Sequence, residues 1–126
     1  MATLGLDHYN LRVTSDRLDA LVDFYVCIVG LKVGHRPAVD IDGRWLYANG
    51  RDVLHIAVDD SVENSIVAGR QSINHVAFLC DNLPAVRDTL GQRSIPFETV
   101  EDEAVGAVQL FLSDPDGRGI ELIFKR

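Results

Sequence analysis

The feature that most constrains the fold of this chain is an internal repeat marked by histidines. LDHYNLRV (Leu6–Val13) and INHVAFLC (Ile73–Cys80) each place an aliphatic residue, a polar residue and a histidine before an apolar-rich segment. Each is followed by apolar residues at helical spacing, with Asp81-Asn82 as candidate caps of the second helix and with Gly30 and Gly91 near the helix ends. The repeat predicts two copies of one supersecondary unit.

Three strand-like segments follow each predicted helix, and turn signals such as Asn49-Gly50 separate them. The segments are LKVGHR, RWLYANG and DVLHIAV in the first half, and PFETV, AVQLFLS and GIELIF in the second half. We therefore predict a single α+β domain over residues 1–126. It consists of two βαβββ modules, about residues 4–58 and 73–126, joined by a polar linker at residues 59–72.

Ionisable side chains recur at matching positions of the two halves. His8 precedes His55 by 47 positions, and His75 precedes Glu121 by 46 positions. Because side chains alternate between the faces of a strand, each of these residues falls on the polar row of its strand, opposite a bulky apolar row. A sheet with helices on one face would gather the four on its open face. Imidazoles and a carboxylate in one cleft are suited to bind a divalent transition metal.

The composition excludes several classes of function. The formal net charge is −7, from 12 basic and 19 acidic residues, and an acidic surface repels phosphate backbones. We therefore expect no nucleic-acid partner. The chain has no apolar run of about 18 residues, so no membrane partner is expected, and MATLGLDHYN lacks the pattern of a signal peptide. Cys27 and Cys80 lie in apolar surroundings and are interpreted as buried free thiols, which is typical of the cytoplasm, with a disulfide or a reactive pair as the less favoured alternative.

Four stretches together resemble the vicinal oxygen chelate superfamily, which includes glyoxalase I, fosfomycin-resistance enzymes, methylmalonyl-CoA epimerase, extradiol dioxygenases and bleomycin-resistance proteins. They are HYNLRV, FYVCIVGLKVG, INHVAF and DPDGRGIEL, and they span nearly the whole chain. The resemblance implies a cupped mixed sheet, made by both modules, with helices on its outer face. It also implies metal ligands on the first and last strands of each module, at His8, His55, His75 and Glu121. Many members use three of these positions, commonly the equivalents of His8, His75 and Glu121. Glyoxalases usually carry a glutamate where His55 stands.

The resemblance also implies where a substrate would bind. Arg12 is similar to the arginine with which glyoxalase I grips the glutathione carboxylate, and Asn10 lies on the same strand row. Trp45 and Tyr47 share a row of a central strand and could wall an apolar or aromatic pocket. The alternatives are a surface ion pair for Arg12 and ordinary packing for the two aromatic residues. His35 has no counterpart in the repeat and is interpreted as structural.

The expected function is metal-dependent proton transfer on a small, oxygen-rich and anionic substrate, as in a lyase or isomerase of the glyoxalase type. The metal would be zinc, nickel, manganese, cobalt or iron, and Glu121 and His55 are the candidate catalytic residues, with His55 either a ligand or a general base. One alternative is an extradiol non-haem iron dioxygenase, since two histidines and a carboxylate form the iron site of such oxygenases. Another is a metal-free, drug-sequestering protein of the bleomycin-resistance kind, which the acidic charge would suit. The resemblance further implies a homodimer, in some members with swapped modules.

Overall fold

The computed structural model describes residues 1–62 and 72–126, and these two ranges belong to two separate compact units. The first unit contains β1 (Tyr9–Val13), a 3-10 turn (Ser15–Arg17), α1 (Leu18–Cys27), β2 (Lys32–Gly34), β3 (Gly43–Ala48) and β4 (Arg51–Val58). The second contains β5 (Val76–Leu79), α2 (Leu83–Gln92), β6 (Glu98–Asp102), β7 (Ala107–Ser113) and β8 (Gly119–Lys125). The predicted βαβββ order is confirmed in both halves, while most of the predicted linker at 59–72 lies outside the described residues.

Each unit has a four-stranded mixed sheet with the same strand order, β1-β4-β3-β2 in the first and β5-β8-β7-β6 in the second. The first and last strands of each unit are parallel neighbours, and the remaining pairs are antiparallel. The predicted α+β class is therefore confirmed. This order places β1 beside β4 and β5 beside β8. His55 lies on β4 and Glu121 on β8, while His8 and His75 immediately precede β1 and β5. The two predicted ligands of each half therefore belong to neighbouring strands.

The two units differ in how firmly the helix is anchored. In α1 four side chains are buried, namely Leu18, Leu21, Phe24 and Tyr25, and this helix packs against β3. In α2 the buried side chain among the described residues is Leu90, and the core of the second unit comes mostly from β7 and β8. Burial of a large apolar side chain contributes about 1.5–3 kcal/mol, so α1 has the larger share of apolar stabilisation.

The N-terminus of α2 follows the predicted pattern more closely than its C-terminus. Asn82 is the N-cap, has a left-handed backbone with φ of 58°, and accepts a hydrogen bond from the Ala85 N–H at 3.4 Å. Gly91 lies near the end of the helix, as predicted, but inside its last turn. Ser94 instead adopts the positive φ of 54° beyond the helix.

The β3–β4 hairpin contains a β-bulge that the β7–β8 hairpin lacks. Tyr47 pairs with Asp52 and Leu46 pairs with Leu54, so Val53 is an additional residue on β4. The Asn49-Gly50 turn has positive φ at both residues, 51° and 80°, as a two-residue type I′ hairpin turn requires. In the second unit the register between β7 and β8 runs without interruption from Ala107 to Ser113.

The cysteines are both free, as predicted, but their predicted burial is wrong for Cys27. Cys27 is exposed at the end of α1, where its thiol contacts the Asp23 carboxylate at 3.3 Å. Cys80 is half-buried, and burial raises the pKa of its thiol to about 11. In the described part of the chain, neither ten-residue helix has the length or the apolar character that a membrane crossing requires.

Candidate functional site

In the first half the predicted ligands His8 and His55 lie together, on neighbouring strands. His55 is in the middle of β4, and His8 lies one residue before β1 begins. Asn10 of β1 pairs with His55 on one side, and Trp45 of β3 pairs with it on the other. Strand pairing therefore carries an imidazole, a second imidazole and an indole to one face of the sheet.

These three rings form a continuous stack. The centroids of the Trp45 and His55 rings are 3.8 Å apart with planes inclined by 5°, and those of His55 and His8 are 3.9 Å apart with planes inclined by 18°. Both faces of the His55 ring are therefore covered by other rings. The His55 side chain retains 11% of its exposure, whereas that of His8 retains 39%.

Hydrogen bonds fix a different ring nitrogen in each of these histidines. His8 Nδ1 donates to Asp7 Oδ2 at 2.7 Å, which leaves His8 Nε2 with a lone pair in the neutral ring. His55 Nε2 donates to Asp52 Oδ2 at 2.7 Å, which leaves His55 Nδ1 with the lone pair. The bond from His55 also lowers the pKa of the Asp52 carboxyl below its ordinary value. Asp52 and His55 therefore form a carboxylate–imidazole pair.

The bulge at Val53 explains why Asp52 and His55 can meet. Residues three apart on a regular strand point to opposite faces, and unbroken alternation would place Asp52 with the apolar row that includes Leu54. The additional residue changes the phase of alternation, so that Asp52 lies on the same side as His55. Bulges commonly redirect a side chain next to a functional site.

In the second half the predicted ligands His75 and Glu121 face each other. His75 Nε2 and Glu121 Oε1 are 3.2 Å apart, and the Glu121 side chain is only 7% exposed. Gln109 Nε2 donates to the other carboxylate oxygen, Glu121 Oε2, at 3.4 Å. Phe111, which pairs with Glu121 across β7 and β8, presents its ring edge-on to His75 with centroids 5.5 Å apart.

The tautomer of His75 makes this pair a suitable half of a metal site. His75 Nδ1 donates to Asn74 Oδ1 at 2.8 Å, so in the neutral ring Nε2 has a lone pair, and Nε2 lies 3.2 Å from Glu121 Oε1. Two lone-pair donors at this distance require a proton or a cation between them. Two ligands on one tetrahedral zinc ion, at about 2.0–2.2 Å each, are roughly 3.4 Å apart, so the spacing of this pair suits a shared metal.

The acceptors Asp7 and Asn74 were not predicted, although the repeat contains the signal for them. Each immediately precedes a predicted ligand histidine, and each is the polar residue of the repeated pattern. Each accepts the Nδ1–H of that histidine and leaves Nε2 available. Metal-binding histidines almost always donate their other ring N–H in this way. His55 departs from this arrangement, since its Nε2 is the nitrogen that is engaged.

The predicted substrate residues are placed as follows. Arg12 and Asn10 are exposed on β1, where Arg12 Nε donates to Asn10 Oδ1 at 3.1 Å. Tyr47 lies against Gly34, where an added Cβ would be 2.6 Å from the tyrosine ring. Its hydroxyl donates to the backbone carbonyl of His35 at 2.6 Å. Roles in substrate binding stay predictions for all four, including Trp45 in the ring stack.

Within each half the structure thus brings together a pair of the predicted ligands. Among residues 1–62 and 72–126, no group of three or more His, Cys, Asp or Glu side chains is placed to hold a metal ion. Metal binding by the four residues as a set therefore stays a prediction.

Comparison with known proteins identifies the family. A family model described as the Glyoxalase/Bleomycin resistance protein/Dioxygenase superfamily matches residues 5–122. The chain belongs to this superfamily, as the resemblance implied. It is 28% identical over 122 residues to a protein of Arabidopsis thaliana named "Glyoxylase I 4", across 94% of this chain and 69% of the relative.

Solved structures confirm the fold. A glyoxylase/bleomycin resistance protein/dioxygenase domain from Frankia sp. EAN1pec superposes with a TM-score of 0.79 at 20% identity, covering 99% of this chain and 100% of that one. The fosfomycin resistance protein FosX from Mesorhizobium loti gives a TM-score of 0.69 at 15% identity, covering 99% and 95%. At these identities the similarity concerns the fold and not the reaction.

Proposed function

We propose that this protein is a divalent-metal-dependent enzyme that transfers a proton on a small, oxygen-rich, anionic substrate, as a lyase or an isomerase. His8, His75 and Glu121 are the proposed ligands, and His55 is the fourth candidate. Membership of the superfamily supports the general class.

The observation that carries this proposal is the His75–Glu121 pair. A buried carboxylate is costly unless it is paired, and here Glu121 lies 3.2 Å from the Nε2 of His75, whose neutral ring, with its hydrogen on Nδ1 toward Asn74, has only a lone pair at Nε2. A divalent cation would satisfy both groups. His8 offers the same kind of donor, because Asp7 engages its Nδ1 in the way that Asn74 engages that of His75.

A divalent metal held by these side chains would act as a Lewis acid and stabilise negative charge on substrate oxygens. The chain itself would supply the proton transfer. Glu121 has one oxygen held by Gln109 and a second directed at His75, so its carboxylate can accept a proton from one carbon and return it to the next. Of the two roles predicted for His55, proton acceptor fits better than ligand, because Asp52 occupies Nε2 and Nδ1 retains a lone pair.

Arg12 is the proposed clamp for the anionic part of the substrate. Its Nε donates to Asn10, which orients the guanidinium and leaves terminal N–H groups to bind a carboxylate in a bidentate manner. We also propose a homodimer in the cytoplasm, since the two free cysteines are typical of a reducing compartment. A stable monomer in sedimentation at micromolar concentration would contradict the dimer.

Metal analysis of protein purified without chelator is the direct test. We expect stoichiometric zinc, nickel, manganese, cobalt or iron, and its loss in His8→Ala, His75→Ala and Glu121→Ala. The matched control is His35→Ala, which removes an exposed imidazole outside the site and leaves the Tyr47 bond intact, because that bond goes to the backbone of His35. Unchanged metal uptake in all three site variants would overturn the proposal.

The reaction class can be tested separately on the metal-loaded protein. We expect metal-dependent exchange of deuterium from solvent into carbon-bound positions of small hydroxy- or oxo-acids, detected by mass spectrometry. The Arg12→Ala variant should raise KM for an anionic substrate with less effect on kcat. Bound iron with oxygen-dependent cleavage of catechols would instead assign the dioxygenase alternative, and protein without metal would favour the drug-sequestering one.

A further inference from the structure

The first half holds its predicted ligands in a stack of rings that a proton-acceptor role of His55 does not by itself explain. His55 lies between Trp45 and His8, with ring centroids 3.8 and 3.9 Å away, and its Nε2 is bound to Asp52. A ligand needs a free ring nitrogen whose lone pair points at the same ion as those of its partners. Near-parallel stacked rings direct their nitrogens side by side instead of toward one point.

We propose that His55 is a positioning residue for His8 and not a metal ligand: Asp52 and Trp45 hold the His55 ring, and the His55 ring holds that of His8. This inference rests on the proposed function, in which His8 binds the metal. It reduces the protein ligands from four candidates to His8, His75 and Glu121. The metal would then keep more of its coordination positions open for substrate oxygens.

The need for such a device follows from the position of His8. It lies outside β1, one residue before the strand begins. Its side chain is 39% exposed, and Asp7, which accepts its Nδ1–H, is 80% exposed. An exposed hydrogen bond between adjacent residues restricts the ring weakly. The largely buried ring of His55 restricts the His8 ring further, because stacking of the two rings fixes the plane of the His8 ring.

His55 is in turn fixed from three sides. Trp45 covers the face opposite His8, the hydrogen bond to Asp52 sets the rotation of the ring, and β4 is an interior strand between β1 and β3. Precise ligand geometry depends on supporting residues whose own rotamers are locked in this way.

The test compares the variants His55→Phe and His55→Ala in titrations with Co²⁺, whose absorption spectrum reports the ligands. Phenylalanine keeps a flat ring between Trp45 and His8 but has no nitrogen. We expect His55→Phe to bind Co²⁺ within about threefold of the unchanged protein and with the same spectrum, and His55→Ala to bind about 10–100-fold more weakly, the range seen for lost supporting residues. Asp52→Asn, which keeps an acceptor for Nε2–H, should bind more tightly than Asp52→Ala.

The outcomes separate this inference from the proposed function. Equal losses in His55→Phe and His55→Ala, with a changed Co²⁺ spectrum, would make His55 a ligand and overturn the inference alone. Equal binding by the unchanged protein and both variants would also overturn it. Failure of the unchanged protein to bind Co²⁺ would overturn the proposed function. The stack can then still be measured without metal, because ring-current shifts of the His8 protons should persist in His55→Phe and disappear in His55→Ala.

Discussion

The two halves of this protein place a site residue at the same position of the same strand, but they surround it differently. His55 and Glu121 each pair with an aromatic residue on the preceding strand, Trp45 in the first half and Phe111 in the second. In the first half the rings stack and a nearby carboxylate engages His55. In the second half the carboxylate is Glu121 itself, and it faces the imidazole of His75.

If His8, His75 and Glu121 bind a metal as proposed, one repeated frame supports two roles. The second half would then present two facing ligands, and the first half would present one ligand with the His55 ring behind it. The halves also differ in their helices, since α1 buries four side chains and α2 buries one among the described residues. Each of these contrasts can be tested by paired substitutions.

The largest expected effect concerns the helices. Phe24→Ala in α1 removes a ring that is 4% exposed and should lower the free energy of unfolding by about 3–5 kcal/mol through the lost burial and the cavity. Val86→Ala in the half-buried middle of α2 should cost less than about 1 kcal/mol. Urea denaturation monitored by circular dichroism measures both. Similar losses in the two variants would show that the helices are anchored equally.

The second prediction concerns the equivalent positions His55 and Glu121. Glu121→Gln removes the charge of a proposed ligand and should weaken Zn²⁺ binding by more than about 100-fold, beyond the range for supporting residues. His55→Gln should weaken it by about 10–100-fold. Competition with a chromophoric chelator gives both affinities. If the two losses are equal, the halves contribute ligands in the same way and the contrast between them fails.

The third prediction uses the cysteine of the second half. The raised pKa of Cys80, about 11 against an ordinary 9.0, lowers its thiolate fraction near pH 8 about 100-fold, which its greater nucleophilicity offsets in part. In a Cys27→Ser variant, alkylation of folded Cys80 by iodoacetamide should be about tenfold slower than in urea. The rate should keep rising as the pH increases toward 11, because the thiolate is the reactive form. A rate that levels off below pH 9 would contradict the raised pKa.

The smallest effect concerns the start of each helix. The N-cap of α2, Asn82, accepts a backbone hydrogen bond, whereas the N-cap of α1, Arg17, makes no such side-chain bond. Asn82→Ala should cost about 1 kcal/mol, since it removes the acceptor and places alanine at a positive φ. Asn82→Gly is the matched control, because glycine adopts a positive φ without strain, and it should cost only a few tenths of a kcal/mol. Thermal unfolding distinguishes them; because both variants lack the acceptor, equal destabilisation would show that the left-handed backbone adds nothing to the cost of alanine.

Much of the fold could be predicted from the sequence repeat, because strands and helices leave patterns among residues that are close together in the sequence. Alternation identified the strands, helical spacing identified α1 and α2, and the shared pattern around His8 and His75 implied one topology for both halves. The pairs His8–His55 and His75–Glu121 followed from that topology. Burial of Cys27 was predicted wrongly, because an apolar surrounding sequence does not reveal that the end of α1 leaves this position exposed.

The supporting residues of the site were harder to predict. Asp52 falls on the wrong face by simple alternation, and only the register of β3 against β4 reveals the additional residue that corrects it. The His8–His55–Trp45 stack depends on ring orientations, which strand pairing permits but does not determine. The acceptor role of Asn74 depends likewise on a side-chain geometry that sequence spacing leaves open.

The bulge at Val53 also keeps the two hairpins equal in length where it matters. The connection between β3 and β4 is short, since Ala48 already pairs with Arg51, whereas Ser113 and Gly119 flank a longer connection between β7 and β8. Trp45 and His55 are nonetheless ten positions apart, as are Phe111 and Glu121, and the additional residue on β4 contributes one of those positions. A chimera that replaced residues 45–55 by residues 111–121 would therefore keep an aromatic residue opposite an ionisable one. An irregularity in one strand thus makes the two repeats exchangeable.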